Sequence, residues 1–360
     1  MKKAIILLLA VCMLASLAAG CVKNNKFQSN FMDTFDTVVI VMAYTQTEEQ
    51  FNELLGIAHE EFLYMHKLFD IYHSYEGINN VKTINDNAGN QPVKVDTHII
   101  ELIKLSKEWY EKSDGAVNIA MGSVLSLWHD YREAGIDDPG SAQLPPMSEL
   151  QAAKEHSDIN NVIVDEAAST VFLADKNMRI DVGAVAKGYA TEVVADLLTE
   201  KGYNSVLISA GGNVHAIGHP LDGRRVRWGV GIKDPDSPLA GSVDESNLLD
   251  VAFVKDLSVV SSGVYERFYT VDGKQYHHLI DPATLMPADY YKAVTVITAD
   301  SGVADLLSTV LFIEPPDKAL KFAEELEGVE ALWVMPDDEL IMTSGFKPML
   351  RDLGGASAEK

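Results

Sequence analysis

Ten residues near the middle of the chain, DVGAVAKGYA from Asp181 to Ala190, set one acid and one lysine among glycines and alanines, just before an apolar run of helical period. The first N–H groups of a helix have no internal partner and carry the positive end of its dipole. Residues with almost no side chain let a phosphate lie against such a bend. Lys187, in the first turn, adds a point charge. Asp181 could hydrogen-bond a ribose or a base, and the carbonyls of Gly183 or Ala184 could face a cation. The alternative is a tight strand-to-helix turn whose alanines pack under a sheet and whose lysine is solvated.

Two further stretches carry candidate chemistry. VADLLSTV puts Asp305 and Thr309 four apart, on one face of a helix, as hard oxygen ligands suited to Mg²⁺ when phosphates supply the rest. Alone, each also reads as an ordinary helix residue. YHHLIDP offers His277 and His278; neighbours in a strand point to opposite faces, so one of the two can face a site and act as a general base or orient a hydroxyl, the alternative being a strand-end histidine bonded to the turn. SAGGN, Ser209 to Asn213, is a Gly-Gly bend too short for a nucleotide fingerprint.

These residues need elements to position them. FDTVVIVMAY (Phe35 to Tyr44) reads as a strand, and the run through Phe51, Leu54, Ala58, Phe62 and Met65 as a helix. HSYEGINNVKTINDNAGN reads as a polar loop, and DTHIIELIKLSKEWYEKS as a helix capped by Asp96. DDPGSAQLPPM is a loop or insertion. The helix after Lys187 ends at Gly202; SVLISAGGNVHAIG is strand, turn, strand; VRWGVGIKDP is a strand. Asp272-Gly273 forms a type I′ hairpin turn, AVTVITADSGVADLLSTVLFI is strand then helix, and VEALWVMPDDELIMTS is a closing hairpin. Irregular alternation with several hairpins predicts an α+β fold of mixed or antiparallel sheets flanked by helices.

Composition bounds the partners. The 360 residues carry a formal charge of −24, or −26 without Lys2 and Lys3, which disfavours nucleic acid and anionic membranes. A phosphate-bearing ligand then needs local help. Residues 1–20 have the basic start and short apolar run of a secretory signal, and LAAGC resembles a bacterial lipobox with Cys21 as the lipidated residue. The alternatives are a signal with a coincidental cysteine and an uncleaved anchor. The other cysteine, Cys12, leaves with the signal, so no disulfide or thiol chemistry is expected in the body. The expected organisation is a signal over 1–20, a lipidated tether over 21–30, a single domain over 31–350 and a flexible tail over 351–360.

Taken in order, DVGAVAKGYA, SAGGNVHAIG, WGVGIKDP, SSGVYERFYTVDGKQYHHLIDPATLMPA and VTVITADSGVADLLSTVLF resemble the FAD:protein FMN transferase family, the ApbE-type flavin-trafficking lipoproteins. The resemblance covers roughly residues 31 to 345 and implies a T-fold-related architecture with an FAD cleft between lobes. It implies that Asp181 and Lys187 contact FAD and that the Ala184 carbonyl, Asp305 and Thr309 hold Mg²⁺. It sets His278, with His277 as its rival, beside the reacting phosphate, and Ile280 on the FAD. It assigns further FAD contacts to Phe35, Tyr72, Ala116, Val117 and Asn118. The chain departs from the family where Phe35-Asp36 replaces the usual Met-Gly, and where Asn118 and Asn213 replace acids.

The activity so implied is Mg²⁺-dependent transfer of FMN from FAD to a Ser/Thr hydroxyl of a target flavoprotein, with AMP released and Lys187, Asp305 and His278 as catalytic residues. The implied acceptor belongs to a respiratory or electron-transfer complex, and the implied location is extracytoplasmic, on a lipid anchor. Two rivals use the same residues: an FAD pyrophosphatase giving FMN and AMP, and a non-enzymatic FAD-binding lipoprotein.

Overall fold

The computed structural model describes residues 23–237 and 245–359; the expected signal peptide and the Cys21 lipidation site lie outside the described residues. The order begins β1 (Asn25–Thr34), β2 (Thr37–Thr45), α1 (Glu48–Phe69), α2 (Val81–Asp86), β3 (Val93–Lys94), α3 (Thr97–Lys112), α4 (Gly122–Asp137) and α5 (Met147–Lys154). β4 (Val162–Asp165) and β5 (Thr170–Leu173) lead to α6 (Ala186–Glu200). Then come β6 (Ser205–Ala210), β7 (Asn213–Gly218), β8 (Trp228–Lys233), β9 (Leu248–Val254) and β10 (Leu257–Gly263). The chain closes with β11 (Tyr269–Val271), β12 (Lys274–Tyr276), β13 (Ala293–Thr298), α7 (Ser301–Ile313), α8 (Pro316–Glu325), β14 (Glu330–Val334) and β15 (Leu340–Met342).

Among the described residues, the central sheet runs β1-β2-β6-β7-β10-β13-β14-β15, with each neighbouring pair antiparallel. The expected α+β class with antiparallel sheets is what forms. β13 is apolar or β-branched at every position, and all six residues are buried because both faces of the sheet are covered. On one face pack α1, α6 and α7, joined by Leu54, Phe62, Val194, Leu306 and Val310. On the other lies the β8–β9 hairpin, through Trp228, Val230 and Ala252. A smaller lobe of α4 and the β11–β12 hairpin closes around Trp128, Tyr269, Ile280 and Leu285.

Eleven of the thirteen residues of α7 are buried. A helix apolar on all sides belongs in a core, so its acid, Asp305, is carried inside with it. α6 and α7 touch closely: a Cβ on Gly188 would overlap the Ser301 carbonyl oxygen and lie 2.6 Å from the Asp305 Cβ.

Four boundaries differ from the sequence reading. Residues 25–30 are not tether but the start of β1, paired from Asn25↔Thr45 to Phe31↔Val39. Phe27 stacks on Phe51 at 5.6 Å and Phe31 packs on Phe62 at 5.9 Å, which ties this polar edge strand to α1. The segment after 350 is docked rather than a free tail. Buried Asp250 accepts the backbone N–H groups of Asp352 and Leu353 at 2.9 Å, and Val226 N–H donates to the Ala358 carbonyl at 2.8 Å. Phe35 and Asp36 form the turn before β2, not its first residues. The polar loop after α1 contains α2, nucleated by a capping box between Asn80 and Thr83.

Candidate active site

The bend before α6 is built as the sequence suggests. Val185 N–H and Ala186 N–H both donate to the Val182 carbonyl, turning the chain into the helix. The N-cap residue, Val185, has no side chain that could cap this N-terminus, and an acid from α7 does so instead. Gly188 N–H donates to Asp305 Oδ2 at 2.9 Å, and Lys187 Nζ lies 3.7 Å from Asp305 Oδ1. Asp305 is 4% exposed, so its carboxylate is fixed by α6.

This bend borders a cavity of about 830 Å³ between the sheet body and the small lobe. Asp181, Ala184, Lys187, Asp305 and Thr309 line it on the helix side, and Tyr72, Ala116, Val117 and Asn118 on another. His278 and Ile280 come from the segment after β12. The structure therefore brings together every site residue expected from sequence within the described part, except Phe35.

Phe35 does not line the cavity. Both turn residues are left-handed (φ 53° and 50°), which directs the Phe35 ring onto α1, 5.6 Å from His66 and 6.5 Å from Phe62. Asp36 and Thr37 of the same tip line the cavity instead.

The two histidines separate cleanly. His277 Nε2 donates to the Ala288 carbonyl at 2.8 Å and its Nδ1 accepts from Leu279 N–H at 3.2 Å, so its ring holds the loop. His278 faces the cavity with a buried Nδ1 that has no partner. Burial first, then the charges of Arg267, His277, Lys187 and Arg132, push it down to about 3, so the ring is neutral.

Several residues have a definite local task. Asn118 donates from Nδ2 to the Ser157 carbonyl at 2.9 Å and accepts Ala120 N–H at 2.8 Å, so its amide fixes its own loop. Asp181 accepts Gly183 N–H at 2.8 Å. Tyr72, 51% exposed, lies over His129 with ring centres 5.1 Å apart. Asn213 is buried with an unpartnered amide nitrogen.

Sequence reasoning missed Arg132, Lys233, Glu266 and Arg267, which also line the cavity. No periodicity or spacing marks them; the end of β8, the helix α4 and the segment between β10 and β11 bring them in. With them, the lining holds four basic residues, Arg132, Lys187, Lys233 and Arg267, and four acidic ones, Asp36, Asp181, Glu266 and Asp305. Burial raises the pKa of both Asp181 and Glu266, towards the neutral form. In a chain of charge −24 this balanced lining is far less acidic than the protein as a whole, which lowers the cost of admitting an anion.

Among the described residues no group of three His, Cys, Asp or Glu is arranged for a metal ion. What the cavity offers a cation is one carboxylate, one hydroxyl and a backbone carbonyl, at Asp305, Thr309 and Ala184. These hard oxygen donors fit Mg²⁺ of the kind that shares its coordination with a ligand's phosphates.

Residues 32–333 match the model of the ApbE family. The chain is 34% identical over 283 residues to the FAD:protein FMN transferase of Treponema pallidum, covering 75% of this chain and 74% of that one. It is 32% identical over 295 residues to a protein of the same name from Klebsiella pneumoniae, covering 80% and 86%. Among solved structures it resembles the ApbE protein of Thermotoga maritima, with a TM-score of 0.78 at 27% identity over 91% of this chain and 100% of that one. The flavin transferase ApbE of Vibrio cholerae shares the fold, with a TM-score of 0.73 at 21% identity over 91% and 100%.

Proposed function

The chain belongs to the ApbE family, and we propose that it transfers the FMN moiety of FAD to a Ser or Thr hydroxyl of a target flavoprotein, releasing AMP. The observation that carries this reading is the contact between Lys187, Gly188 and Asp305 at the start of α6, on the wall of a cavity lined by four basic and four acidic residues. A pyrophosphate is the ligand that such a place suits.

Phosphoryl transfer needs mainly positioning and charge neutralisation. Lys187 holds the pyrophosphate at the positive end of the α6 dipole, where the N–H groups of Val185, Ala186 and Gly188 are already bonded within the protein. Mg²⁺, held by Asp305, the Thr309 hydroxyl and the Ala184 carbonyl, would supply further charge neutralisation on the phosphates. The acceptor oxygen attacks the phosphorus nearest the riboflavin; the bond to the AMP phosphate breaks, and AMP leaves with that bridging oxygen. The hydroxyl proton passes to His278, neutral and with an unpaired Nδ1. A bound pyrophosphate offsets the Lys187 and Arg267 charges that depress this imidazole, so its basicity rises when substrate is present. The buried carboxyls of Asp181 and Glu266, shifted towards neutrality, add less repulsion against the phosphates than ionised acids would.

The same reading extends to the setting. The LAAGC stretch supports an extracytoplasmic enzyme lipidated on Cys21, with an acceptor from a respiratory or electron-transfer complex.

The test incubates the protein with FAD, Mg²⁺ and a Thr-bearing acceptor flavoprotein already known to be competent. Mass spectrometry then follows the acceptor while AMP is assayed. FMN added to the acceptor, with matching AMP, is the expected result. AMP and free FMN with an unmodified acceptor would replace it by the hydrolase, and intact bound FAD without AMP by the carrier.

A further inference from the structure

The tip of the β1–β2 hairpin is unusual in composition. Both of its residues sit in the left-handed region, Phe35 at φ 53° and Asp36 at φ 50°. Asn-Gly is the pair that such a turn favours, because other side chains resist this conformation. Here a Phe and an Asp are held there, and the reason lies beneath them. Phe35 N–H donates to His66 Nδ1 at 3.2 Å. His66 Nε2 lies 3.5 Å from Tyr75 Oη, and Tyr75 O–H donates to Asp70 Oδ2 at 2.7 Å. The other oxygen of Asp70 accepts the backbone N–H groups of Tyr72 at 2.6 Å and His73 at 3.0 Å.

The directions in this chain are forced. An ionised carboxylate only accepts, so Tyr75 gives it the phenol proton. The Tyr75 oxygen is left to accept from His66 Nε2–H, and His66 Nδ1 is left bare for Phe35. Burial opposes ionisation of Asp70, but the Tyr75 and backbone hydrogen bonds outweigh it, and the net shift is downward.

We infer that His66, Tyr75 and Asp70 form one hydrogen-bonded chain that couples the hairpin tip to the Tyr72 loop, so that Asp36, Thr37 and Tyr72 move as a single wall of the cavity. This rests on the flavin reading for its consequence, though not for its geometry. His66 and Tyr75 touch no part of the cavity surface themselves; they are positioning residues. The tip has little slack on its other side, because the Thr37 side chain packs so closely on Gly211 that no Cβ fits there. A tip released from His66 therefore shifts the cavity wall rather than absorbing the change locally.

The experiment uses the full chain and two readouts. Tyr75→Phe removes one oxygen from the middle of the chain. In ligand-free protein, amide hydrogen exchange should rise together, by about threefold or more, in segments 33–38 and 70–76. A rise confined to 70–76, or none in either, would overturn the coupling. His66→Phe keeps an aromatic ring under Phe35 without the acceptor and should likewise speed exchange at 33–38. His66→Asn restores an acceptor near the Nδ1 position and should return exchange there to the wild-type rate; failure of Asn to differ from Phe would also count against the chain. With FAD, Tyr75→Phe should raise the Kd about five- to tenfold while kcat at saturating FAD stays within about twofold, since it removes positioning and no chemical group. If the wild type binds no FAD, the flavin reading fails, and the exchange result still decides the coupling.

Discussion

The Gly188 amide donates to the Asp305 carboxylate across the α6–α7 contact, 2.9 Å apart, at a point where the two helices leave no room for a side chain. One residue without a Cβ thus fixes both the acid that faces the cavity and the helix turn that carries Lys187. Gly188→Ala should push α6 from α7, since the added carbon meets backbone at Ser301 rather than a side chain that can swing away. Overpacking of this kind costs about 1–3 kcal/mol. The expected outcome is a lowered urea midpoint and FMN transfer reduced at least tenfold even where the protein is folded. A variant of unchanged stability and activity would mean that the two helices separate freely.

Asp305→Asn keeps the shape and the acceptor for Gly188 while removing the charge. Transfer should fall by about two orders of magnitude or more, in the range seen when an electrostatic partner of a transition state is lost. Chelation of divalent cations should abolish wild-type transfer, and Mg²⁺ should restore it far better in wild type than in the variant. Equal rescue of the two would remove Asp305 from the cation's ligands.

His278→Asn should lower kcat by about 10² to 10⁴, the range of general acid–base catalysis. FAD affinity should stay within about threefold, because the neutral imidazole contributes no charge to phosphate binding. Steady-state kinetics with saturating acceptor, alongside FAD titration, separates the two. A loss seen wholly in affinity would make His278 a binding residue.

Away from the cavity, Glu192 on α6 accepts Ser301 N–H at 2.7 Å and approaches His215 at 3.6 Å. Burial, followed by the charges of Asp300 and Asp196, lifts Glu192 to about 7, and burial lowers His215 to about 4. Near pH 6 both are therefore mostly neutral. For Glu192 the unfolded chain sheds its proton from about pH 4.5 upward while the folded chain keeps it to about 7, so its contribution to stability falls across that window. His215 acts oppositely, adding stability as pH rises from about 4 to 6.5. Glu192→Gln keeps the bond to Ser301 and removes only the falling part. Its stability relative to wild type should improve by on the order of 2 kcal/mol between pH 4.5 and 8. Urea denaturation at both pH values checks this; a pH-independent difference would mean that Glu192 is ionised throughout.

Much of this site was legible because its key pieces are local. The bend at Asp181–Lys187 and the four-residue spacing of Asp305 and Thr309 are short-range patterns, and the fold only had to bring α6 against α7. The strands β6, β7 and β13 were equally plain, since β-branched runs bounded by glycine or polar turns leave little choice. β1 was not, because an edge strand with one polar face looks like a linker until its Phe27 and Phe31 find α1. Arg267 and Glu266 were hidden for another reason. Their place in the cavity depends on how the segment after β10 crosses to the small lobe, which no window of sequence records. Phe35 shows the limit of carrying a contact over by position: with Asp for the usual Gly beside it, the tip keeps its turn, yet Phe35 packs on the helix below.

The early start of β1 also sets a length. A chain lipidated at Cys21, as proposed, has three residues between its anchor and Asn25, four Cα-to-Cα steps that span at most about 14 Å. β1 itself then runs for ten residues, about 30 Å of rigid rise, and ends at the hairpin tip that borders the cavity. Anchor and cavity rim would therefore sit at the two ends of one ruler. Along that path the cavity wall at Asp36 and Thr37 would stand no more than roughly 45 Å from the bilayer surface. An acceptor hydroxyl would then meet the enzyme within about that depth, close beside the bilayer.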